Sequence, residues 1–229
     1  MDWVVLKDAE SVAQRARNEI LAIAATAISK RGRFSIVLAG GTTPERAYTL
    51  LAQSESDWAH WHVYLGDERC LPTQARERNS VMASRTLTGI VPIPAGQVHP
   101  IPAEFGAEKA ALLYENEIAP ALPFDLVLLG MGEDGHTASL FPGQVHDPKR
   151  LVLPIHNAPK PPPNRVSLSY RAIEASRELL ILITGAGKQT AVRRWREGEA
   201  LPISSIRSDG RARILIDRAA MPAQDDAES

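Results

Sequence analysis

Cysteine is nearly absent from this sequence of 229 residues, and its scarcity excludes several kinds of protein. The single Cys70 cannot form an internal disulfide, and it cannot build the multi-cysteine sites that hold structural zinc or iron–sulfur clusters. The first residues, Met1-Asp2-Trp3, do not resemble a secretory signal. Because chains without disulfides suit a reducing compartment, we expect a cytoplasmic protein.

Aromatic residues, net charge and long apolar runs are also scarce. The chain has four residues each of Trp, Tyr and Phe, too few for the stacking platforms that hold single-stranded nucleic acids. Its formal net charge of -1 gives no overall positive field to attract nucleic acid or an anionic membrane. No stretch reaches the roughly 18 apolar residues of a membrane-spanning helix. We therefore expect no nucleic-acid or membrane partner, and an anionic ligand must be held by a local cluster of cations.

Apolar runs and amphipathic stretches alternate along the chain. Asp8 to Lys30 has apolar residues at helical spacing, and Gly32 follows as a C-terminal cap. Phe34 to Leu38 predicts a strand that stops at a glycine pair, and Pro44 opens a helix through Leu51. The other predicted strands are His62–Leu65, Asp125–Leu129, Leu151–Ile155, Val166–Leu168, Leu179–Ile183 and Arg213–Ile216, and the other predicted helices are Ala103–Ala119 and Gly187–Arg196.

This alternation predicts an α/β fold: a single-domain, doubly wound, mostly parallel sheet with helices on both faces, over residues 1–220. Several strands are apolar throughout, as in parallel sheets covered on both sides. An edge hairpin is expected around residues 151–170, and the acidic end, residues 221–229, is expected to be a disordered tail. Such sheets bind ligands at the carboxyl ends of their strands, where glycine-rich polar clusters lie in this chain.

The first cluster, Gly40-Gly41-Thr42-Thr43, follows a predicted strand and precedes a helix. Two glycines allow positive φ and close backbone approach, while two hydroxyls and a helix N-terminus provide donors for a phosphate. The pattern also fits a plain strand-to-helix turn, and it is neither a Walker nor a dinucleotide-binding motif.

The second cluster, Gly66-Asp67-Glu68-Arg69, places acids and a base at another strand end. The guanidinium of Arg69 could bind a phosphate with two hydrogen bonds. The alternative is a solvated loop with a local ion pair, in which Asp67 orients the loop by accepting backbone hydrogen bonds.

The third cluster is the most informative, because it places a histidine after a strand and between glycines, where no packing reason accounts for it. The segment runs from Gly130 to Gly143 and contains Asp134 and His136. A histidine titrates near neutrality and can take a proton from water. No G-x-S-x-G elbow is present and no repeated metal-ligand spacing occurs, so water is the better nucleophile and no metal site is expected. Cys70 and Ser139 stay open as alternative covalent nucleophiles.

Basic residues in the C-terminal half of the chain form the fourth cluster. Lys188 lies in Gly185-Ala186-Gly187-Lys188, where a strand turns into a helix, and could reach a phosphate held by the Gly40 loop. Lys160 and Arg165 flank a proline run. Taken alone, Lys188 is typical of a surface charge, and only the convergence of several strand ends favours a site.

The four clusters, in this order, resemble the motifs of the 6-phosphogluconolactonase family, over about residues 34 to 217. The resemblance implies a sugar-isomerase-like doubly wound fold, no cofactor, and hydrolysis of 6-phospho-D-glucono-1,5-lactone in the oxidative pentose phosphate pathway. The substrate is then a small phosphorylated sugar lactone. The family has Ser-Asn where this chain has Asn79-Ser80, so we assign those two residues no role. The oligomeric state is open, with a monomer slightly favoured.

Two other functions stay open. Glucosamine-6-phosphate deaminase shares the glycine loop, the Asp-Gly-His and the Gly-x-x-Lys, but its pattern has a tyrosine at Arg69 and Asn-Glu at Leu140 and Phe141. Related folds also serve as sugar-phosphate sensing modules beside a helix-turn-helix region, for which only about 30 residues precede the first core strand. The residues favour the lactonase.

The resemblance implies roles for individual residues. His136 is similar to the general base that activates water, and Asp134 orients its imidazole or the local turn. Backbone amides at Gly40 or Gly41 would hold the oxyanion. The residues implied in binding the phosphate and the sugar are Thr42, Thr43, Asp67, Arg69, Arg165 and Lys188.

Overall fold

Two sheets contain the ten strands found in the computed structural model, which describes residues 1–208 and 210–222. The strands are β1 (Asp2–Leu6), β2 (Phe34–Leu38), β3 (Trp61–Leu65), β4 (Asp67–Arg69), β5 (Val98–His99), β6 (Phe124–Gly130), β7 (Val152–Ile155), β8 (Arg165–Leu168), β9 (Ser176–Ile183) and β10 (Arg211–Asp217). The helices are α1 (Ala9–Arg31), α2 (Thr42–Leu51), α3 (Asn79–Ala83), α4 (Ala107–Ile118), α5 (Tyr170–Glu174), α6 (Gln189–Arg196) and α7 (Pro202–Ser205).

The larger sheet is parallel throughout, in the order β1-β10-β9-β6-β2-β3-β5. Helix α1 packs against α2. The strand order reverses direction after β5, so connections of the usual right hand place helices on both faces of the sheet, and the predicted doubly wound α/β fold is confirmed. The chain runs outward from β2 to β3 and β5 and then returns to β6 on the other side of β2. The switch point therefore lies between β2 and β6, whose carboxyl ends carry the first and third glycine clusters.

Helix α1 forms as its sequence predicts. The Asp8 carboxylate accepts the Ser11 N–H at 2.8 Å as an N-cap, and Gly32 ends the helix with a φ of 71°. The helical spacing places one face against the sheet, and its buried apolar residues are Val12, Ala13, Ala16, Ile20, Ile23, Ala24 and Ala27.

A second, antiparallel sheet corrects two expectations. The hairpin of β7 and β8 is present, but it pairs with β4 in the order β4-β8-β7 and does not extend the edge of the large sheet. The segment Asp67–Arg69, expected as a loop, is the third strand of this sheet. Only Gly66 separates the end of β3 from the start of β4. The chain turns out of the large sheet at this point, so β4 pairs with the hairpin of β7 and β8.

Other boundaries differ from the sequence analysis. Strands β1 and β5 were not predicted, and the helix expected over Ala103–Ala119 is a helix over Ala107–Ile118 between two 3-10 turns. Met221 packs against the core, while positions 223–229 of the predicted tail lie outside the described residues. Assignment of the whole chain to a single domain stays a prediction. Among the described residues, no helix combines the length and the apolar character needed to cross a bilayer.

Two buried tyrosines hold the strand ends that lead into the site. The Tyr48 hydroxyl accepts the Ala39 N–H at 2.9 Å and donates to the Ala39 carbonyl at 3.0 Å. Tyr114 does the same to Leu65, at 2.8 and 3.1 Å. Burial raises the pKa of both phenols, so they stay protonated and able to donate. Each phenol thus satisfies the main chain where it leaves the sheet.

A buried carboxylate joins the beginnings of the two central strands. Asp125, at the start of β6, accepts the Ser35 N–H at 2.8 Å and the Ser35 hydroxyl at 3.1 Å, and Arg31 donates to it at 2.6 Å. The Ser35 hydroxyl accepts the Asp125 N–H in return, at 2.9 Å. These bonds fix the two strands on either side of the switch point.

We expect Asp125→Ala to lower the free energy of unfolding by about 1–3 kcal/mol, because it leaves the buried donors of Ser35 unpaired. Urea denaturation measures the change. The matched control is Asp57→Ala, which removes an exposed carboxylate whose one ion-pair partner among the described residues is the exposed His60, and which should change stability little. Equal losses in both variants would contradict the role given to Asp125.

Candidate active site

A cleft of about 360 Å³ opens at the carboxyl ends of β2, β3, β6 and β9. Of the ten residues predicted for the site, nine line it: Gly40, Gly41, Thr42, Thr43, Asp67, Arg69, His136, Arg165 and Lys188. The tenth, Asp134, contacts His136 from behind. A second cavity, of about 400 Å³, is mostly apolar and none of the predicted site residues lines it. The polar cleft is therefore the candidate site.

The glycine loop follows β2 and begins helix α2. Gly41 is the N-cap residue, with a φ of 110° that side-chain-bearing residues rarely adopt. Gly40 lies against Asn79, so that a Cβ there would come within 2.3 Å of the Asn79 amide oxygen. The hydroxyls of Thr43 and Thr184 are hydrogen-bonded, 2.5 Å apart. Helix α2 thus presents its N-terminus to the cleft, as anion sites do.

The carboxylate of Asp67 connects three segments around the cleft. Its Oδ1 accepts the Asn79 side-chain amide at 2.8 Å, and its Oδ2 accepts the Ser139 hydroxyl at 2.6 Å. The Ser139 N–H in turn donates to the Ser167 hydroxyl of β8, at 3.1 Å. All four residues are buried. Asp67 therefore connects the start of α3 and the histidine loop to the small sheet.

A second buried acid supports the same region. Glu68 is fully buried and accepts the backbone N–H groups of Arg69, Asn79 and Ser80 at 2.7 to 2.9 Å. The Nε of Arg78 lies 3.3 Å from the Glu68 carboxylate. Because a buried charge is tolerated when it is paired and hydrogen-bonded, this network fixes the segment that carries Arg69.

His136 and Asp134 form the only histidine–carboxylate pair among the described residues that faces this cleft. The His136 Nδ1 lies 2.5 Å from Asp134 Oδ1, and the imidazole is partly exposed to the cleft. The ring packs against Phe141, with centroids 4.7 Å apart. Gly132 lies so close that a Cβ would come within 2.1 Å of the imidazole. The glycine is therefore required for the ring to lie there.

The environment of Asp134 favours its ionised form. Partial burial acts to raise its pKa, but the hydrogen bond from the His136 N–H and the His136 side chain outweigh burial and hold the pKa below 3.8. Because the ionised Asp134 can only accept a hydrogen bond, the proton of a neutral His136 imidazole must be on Nδ1. The Nε2 lone pair of His136 is then available to accept a proton.

The turn after His136 is fixed on both sides. The Thr137 hydroxyl donates to the Gly130 carbonyl at 2.8 Å, and the Leu140 N–H donates to the Thr137 carbonyl at 2.9 Å. Ala138, between them, has a φ of 47°. A residue with a side chain in this left-handed region is strained by roughly 1 kcal/mol, and such strain persists where the surroundings hold the backbone.

The predicted cations converge on the cleft, but they are engaged differently. Arg69 donates to the Glu77 carbonyl. Arg165 is buried and donates through Nε and Nη2 to main-chain carbonyls of the preceding loop. No carboxylate lies within 4 Å of Lys188 in the described parts of the chain. Lys188 is thus the predicted cation that is most available to a ligand.

Sequence reasoning assigned no site role to three polar residues that line the cleft: Asn79, Lys160 and Thr184. The first had been assigned no role, although its amide bonds Asp67. Lys160 was noted beside the proline run but not placed in the site. Ser139 was considered only as an alternative nucleophile, and its hydrogen bond to Asp67 behind the cleft was not predicted. No pattern in the sequence pointed to Thr184.

A doubly wound sheet with a histidine–aspartate pair and several cations at its switch point is typical of α/β enzymes that act on small anionic substrates. Comparison with known proteins narrows this class. The family model for glucosamine-6-phosphate isomerases/6-phosphogluconolactonase matches residues 7–215. The chain belongs to this family.

Individual relatives agree with the family assignment. The chain is 38% identical over 204 residues to a 6-phosphogluconolactonase of Mycobacterium leprae, covering 82% of this chain and 83% of the relative. The crystal structure of the 6-phosphogluconolactonase of Thermotoga maritima superimposes with a TM-score of 0.88 at 30% identity, covering 95% of this chain and 99% of the other. A monomeric glucosamine-6-phosphate deaminase, at 21% identity and a TM-score of 0.84 over 96% and 98% of the chains, shares the fold.

We expect Ser139→Ala to lower kcat about 10-fold, because it leaves a buried Asp67 oxygen unpaired and loosens the histidine loop. Steady-state kinetics on 6-phosphogluconolactone measures the effect. Ser176→Ala is a matched control, since the Ser176 hydroxyl is also buried but has no hydrogen-bond partner in the described chain. The role of Ser139 would be wrong if both variants kept full kcat.

Proposed function

We propose that this protein hydrolyses 6-phospho-D-glucono-1,5-lactone to 6-phospho-D-gluconate, a step of the oxidative pentose phosphate pathway. The observation that carries the proposal is a histidine–aspartate pair that faces a cleft lined by cations. Family membership and the named lactonases among the relatives support it. We also propose a cytoplasmic location and a monomer. The scarcity of cysteine supports the location.

His136 acts as the general base in the proposed mechanism. Its Nε2 takes a proton from water as the water oxygen attacks C1 of the lactone. Asp134 holds the imidazole by Nδ1 and stabilises the imidazolium that forms. The tetrahedral intermediate then collapses: the bond between C1 and the ring oxygen breaks, and the imidazolium returns its proton to that oxygen. The products are a carboxylic acid and a free hydroxyl, and no cofactor is required.

Backbone donors of the glycine loop stabilise the oxyanion in this proposal. Gly40 and Gly41 line the same cleft as His136, at the N-terminus of α2. The partial positive charge of a helix N-terminus favours the negative charge that develops on the carbonyl oxygen. Thr42 and Thr43 provide hydroxyls for the sugar, and Arg69 and Lys188 provide charge for the phosphate.

The residues next to His136 favour hydrolysis over deamination. The deaminase pattern has Asn-Glu at the positions of Leu140 and Phe141, and here both side chains are apolar and buried. Phe141 packs on the imidazole, so no second carboxylate reaches the ring from these positions. A lactonase needs one general base to deprotonate one water molecule. A deaminase must also move a proton between adjacent carbons, which requires further acid–base groups.

We expect His136→Asn to lower kcat by about 10² to 10⁴-fold with a smaller change in KM, because the proton acceptor is lost. A coupled assay of 6-phosphogluconate formation measures it after subtraction of spontaneous lactone hydrolysis. His60→Asn, on the surface, is the control and should behave as the parent protein. Full kcat in His136→Asn would overturn the mechanism. Ammonia release from glucosamine 6-phosphate would instead favour a deaminase, and inactivity in both assays would favour a sensor.

We expect phosphate binding to weaken at alkaline pH as Lys188 loses its charge. Burial lowers the pKa of Lys188 below 10.5, and the neighbouring Lys160 charge lowers it further, against the fields of Glu133 and Asp134. The charged form prevails below that pKa, so the Kd for 6-phosphogluconate should rise as the pH passes through it. Calorimetry between about pH 7 and pH 9.5 measures the change.

Lys188→Arg is the matched variant, because arginine stays charged through this range. Its Kd should vary less with pH than that of the parent protein. Identical pH dependence in both proteins would show that the Lys188 proton is not linked to binding.

A further inference from the structure

A strap of nine residues, 156–164, connects β7 to β8 and borders the cleft. Lys160 and Pro161 of this strap line the same cleft as His136 and Lys188. The strap is internally closed by a hydrogen bond from the Ala158 N–H to the Pro163 carbonyl, at 2.9 Å. The sequence analysis noted Lys160 beside the proline run and gave it no role.

Arg165 fixes the strap from beneath. Its Nη2 donates to the Lys160 carbonyl at 2.7 Å and to the Pro161 carbonyl at 3.4 Å, and its Nε donates to the Pro162 carbonyl at 3.1 Å. The guanidinium also lies over the Phe141 ring, 5.5 Å from its centroid. A planar group with donors in a fixed fork is suited to hold three successive carbonyls. The backbone of Lys160 is therefore held in place.

The far end of the strap is anchored as well. The Asn164 carbonyl accepts the Cys70 N–H at 3.0 Å, next to Arg69. The Asn164 side-chain oxygen lies 3.1 Å from His156 Nδ1, and His156 Nε2 lies 3.1 Å from Glu108. The strap thus has fixed points on the small sheet, on the segment that carries Arg69 and on α4.

The side chain of Lys160 has no such engagement. It is exposed, and no carboxylate lies within 4 Å of its ammonium among residues 1–208 and 210–222. Its charge acts on Lys188 across the cleft and lowers the pKa of that lysine. Glu133 and Asp134 oppose this effect on Lys188. The two lysine charges still repel each other, and a bound anion removes the repulsion.

We propose that Lys160 is a substrate-binding residue, which the strap holds across the cleft from Lys188 so that both ammonium groups contact the phosphate of the substrate. Arg165 is then a positioning residue: it holds the strap through three carbonyls. This inference rests on the proposed function for the identity of the substrate, but the phosphate contact can be tested without turnover.

The first test compares Lys160→Gln with Lys149→Gln, an exposed lysine outside the cleft. Losing one charged contact to phosphate should raise KM for 6-phosphogluconolactone about 10-fold and leave kcat within about 2-fold. On unphosphorylated glucono-1,5-lactone, Lys160→Gln should have the same KM and kcat as the parent protein. Lys160→Arg should restore most of the binding. An unchanged KM, or an equal rise on both lactones, would overturn the assignment.

The second test separates this inference from the proposed function. Calorimetry with 6-phosphogluconate and with inorganic phosphate measures binding without hydrolysis. If the parent protein hydrolyses no lactone but Lys160→Gln still weakens phosphate binding about 10-fold, the phosphate contact stands and the lactonase proposal fails. If the parent protein is an active lactonase and Lys160→Gln binds both ligands unchanged, the contact fails alone.

Arg165→Lys tests the positioning role. One ammonium cannot hold three successive carbonyls, so this variant should raise KM for the phosphorylated lactone several-fold, and adding Lys160→Gln to it should raise KM little further. Independent, multiplicative effects in the double variant would show that Arg165 does not act through Lys160.

Discussion

The buried carboxylate of Asp67 is the interaction on which the cleft depends. A buried carboxylate is stable only when its oxygens are hydrogen-bonded, and here Asn79 at the start of α3 and Ser139 of the histidine loop satisfy them. Asn79 lies against Gly40, and Ser139 belongs to the loop of His136. The glycine loop and the histidine loop therefore have their positions set relative to one another. Because the Asp67 carboxylate must be hydrogen-bonded, the geometry of the whole site is constrained.

The position of the cleft follows from the topology of the large sheet. Parallel strands end at one edge, and the chain reverses direction between β2 and β6, so the loops after these strands diverge and leave a space. Where a strand leaves the sheet at this edge, its main-chain N–H and C=O groups no longer have hydrogen-bond partners on a neighbouring strand. Tyr48 and Tyr114 replace them at Ala39 and Leu65 with bonds to both N–H and C=O. The edge can then be open to a ligand without unpaired main-chain groups behind it.

The fold could be predicted from the sequence because apolar runs followed by glycines are local signals. The strands of the sheet centre and the helix after Asp8 are of this kind. The missed elements lack the signal: β5 has two residues, β1 is a partly exposed edge strand, and β4 is polar because it belongs to a different sheet. The missed site residues depend on long-range contacts. Ser139 meets Asp67 from 72 positions away, and nothing in the local sequence records such a pairing.

Depth in the structure distinguishes cations that support the fold from those available to a ligand. Arg78 and Arg165 are 2% and 5% exposed, and their guanidinium groups hydrogen-bond main-chain carbonyls. Arginine suits this work because its donors are fixed in a plane and its charge is weakly hydrated. Lys160 and Lys188 line the cleft and are more exposed than these arginines. An ammonium group is strongly hydrated, so each lysine stays hydrated until an anion displaces the water. A chain with almost equal numbers of acids and bases can therefore attract a dianion, because Asp67 and Asp134 are engaged by hydrogen bonds, whereas Lys160 and Lys188 have no carboxylate within 4 Å among the described residues.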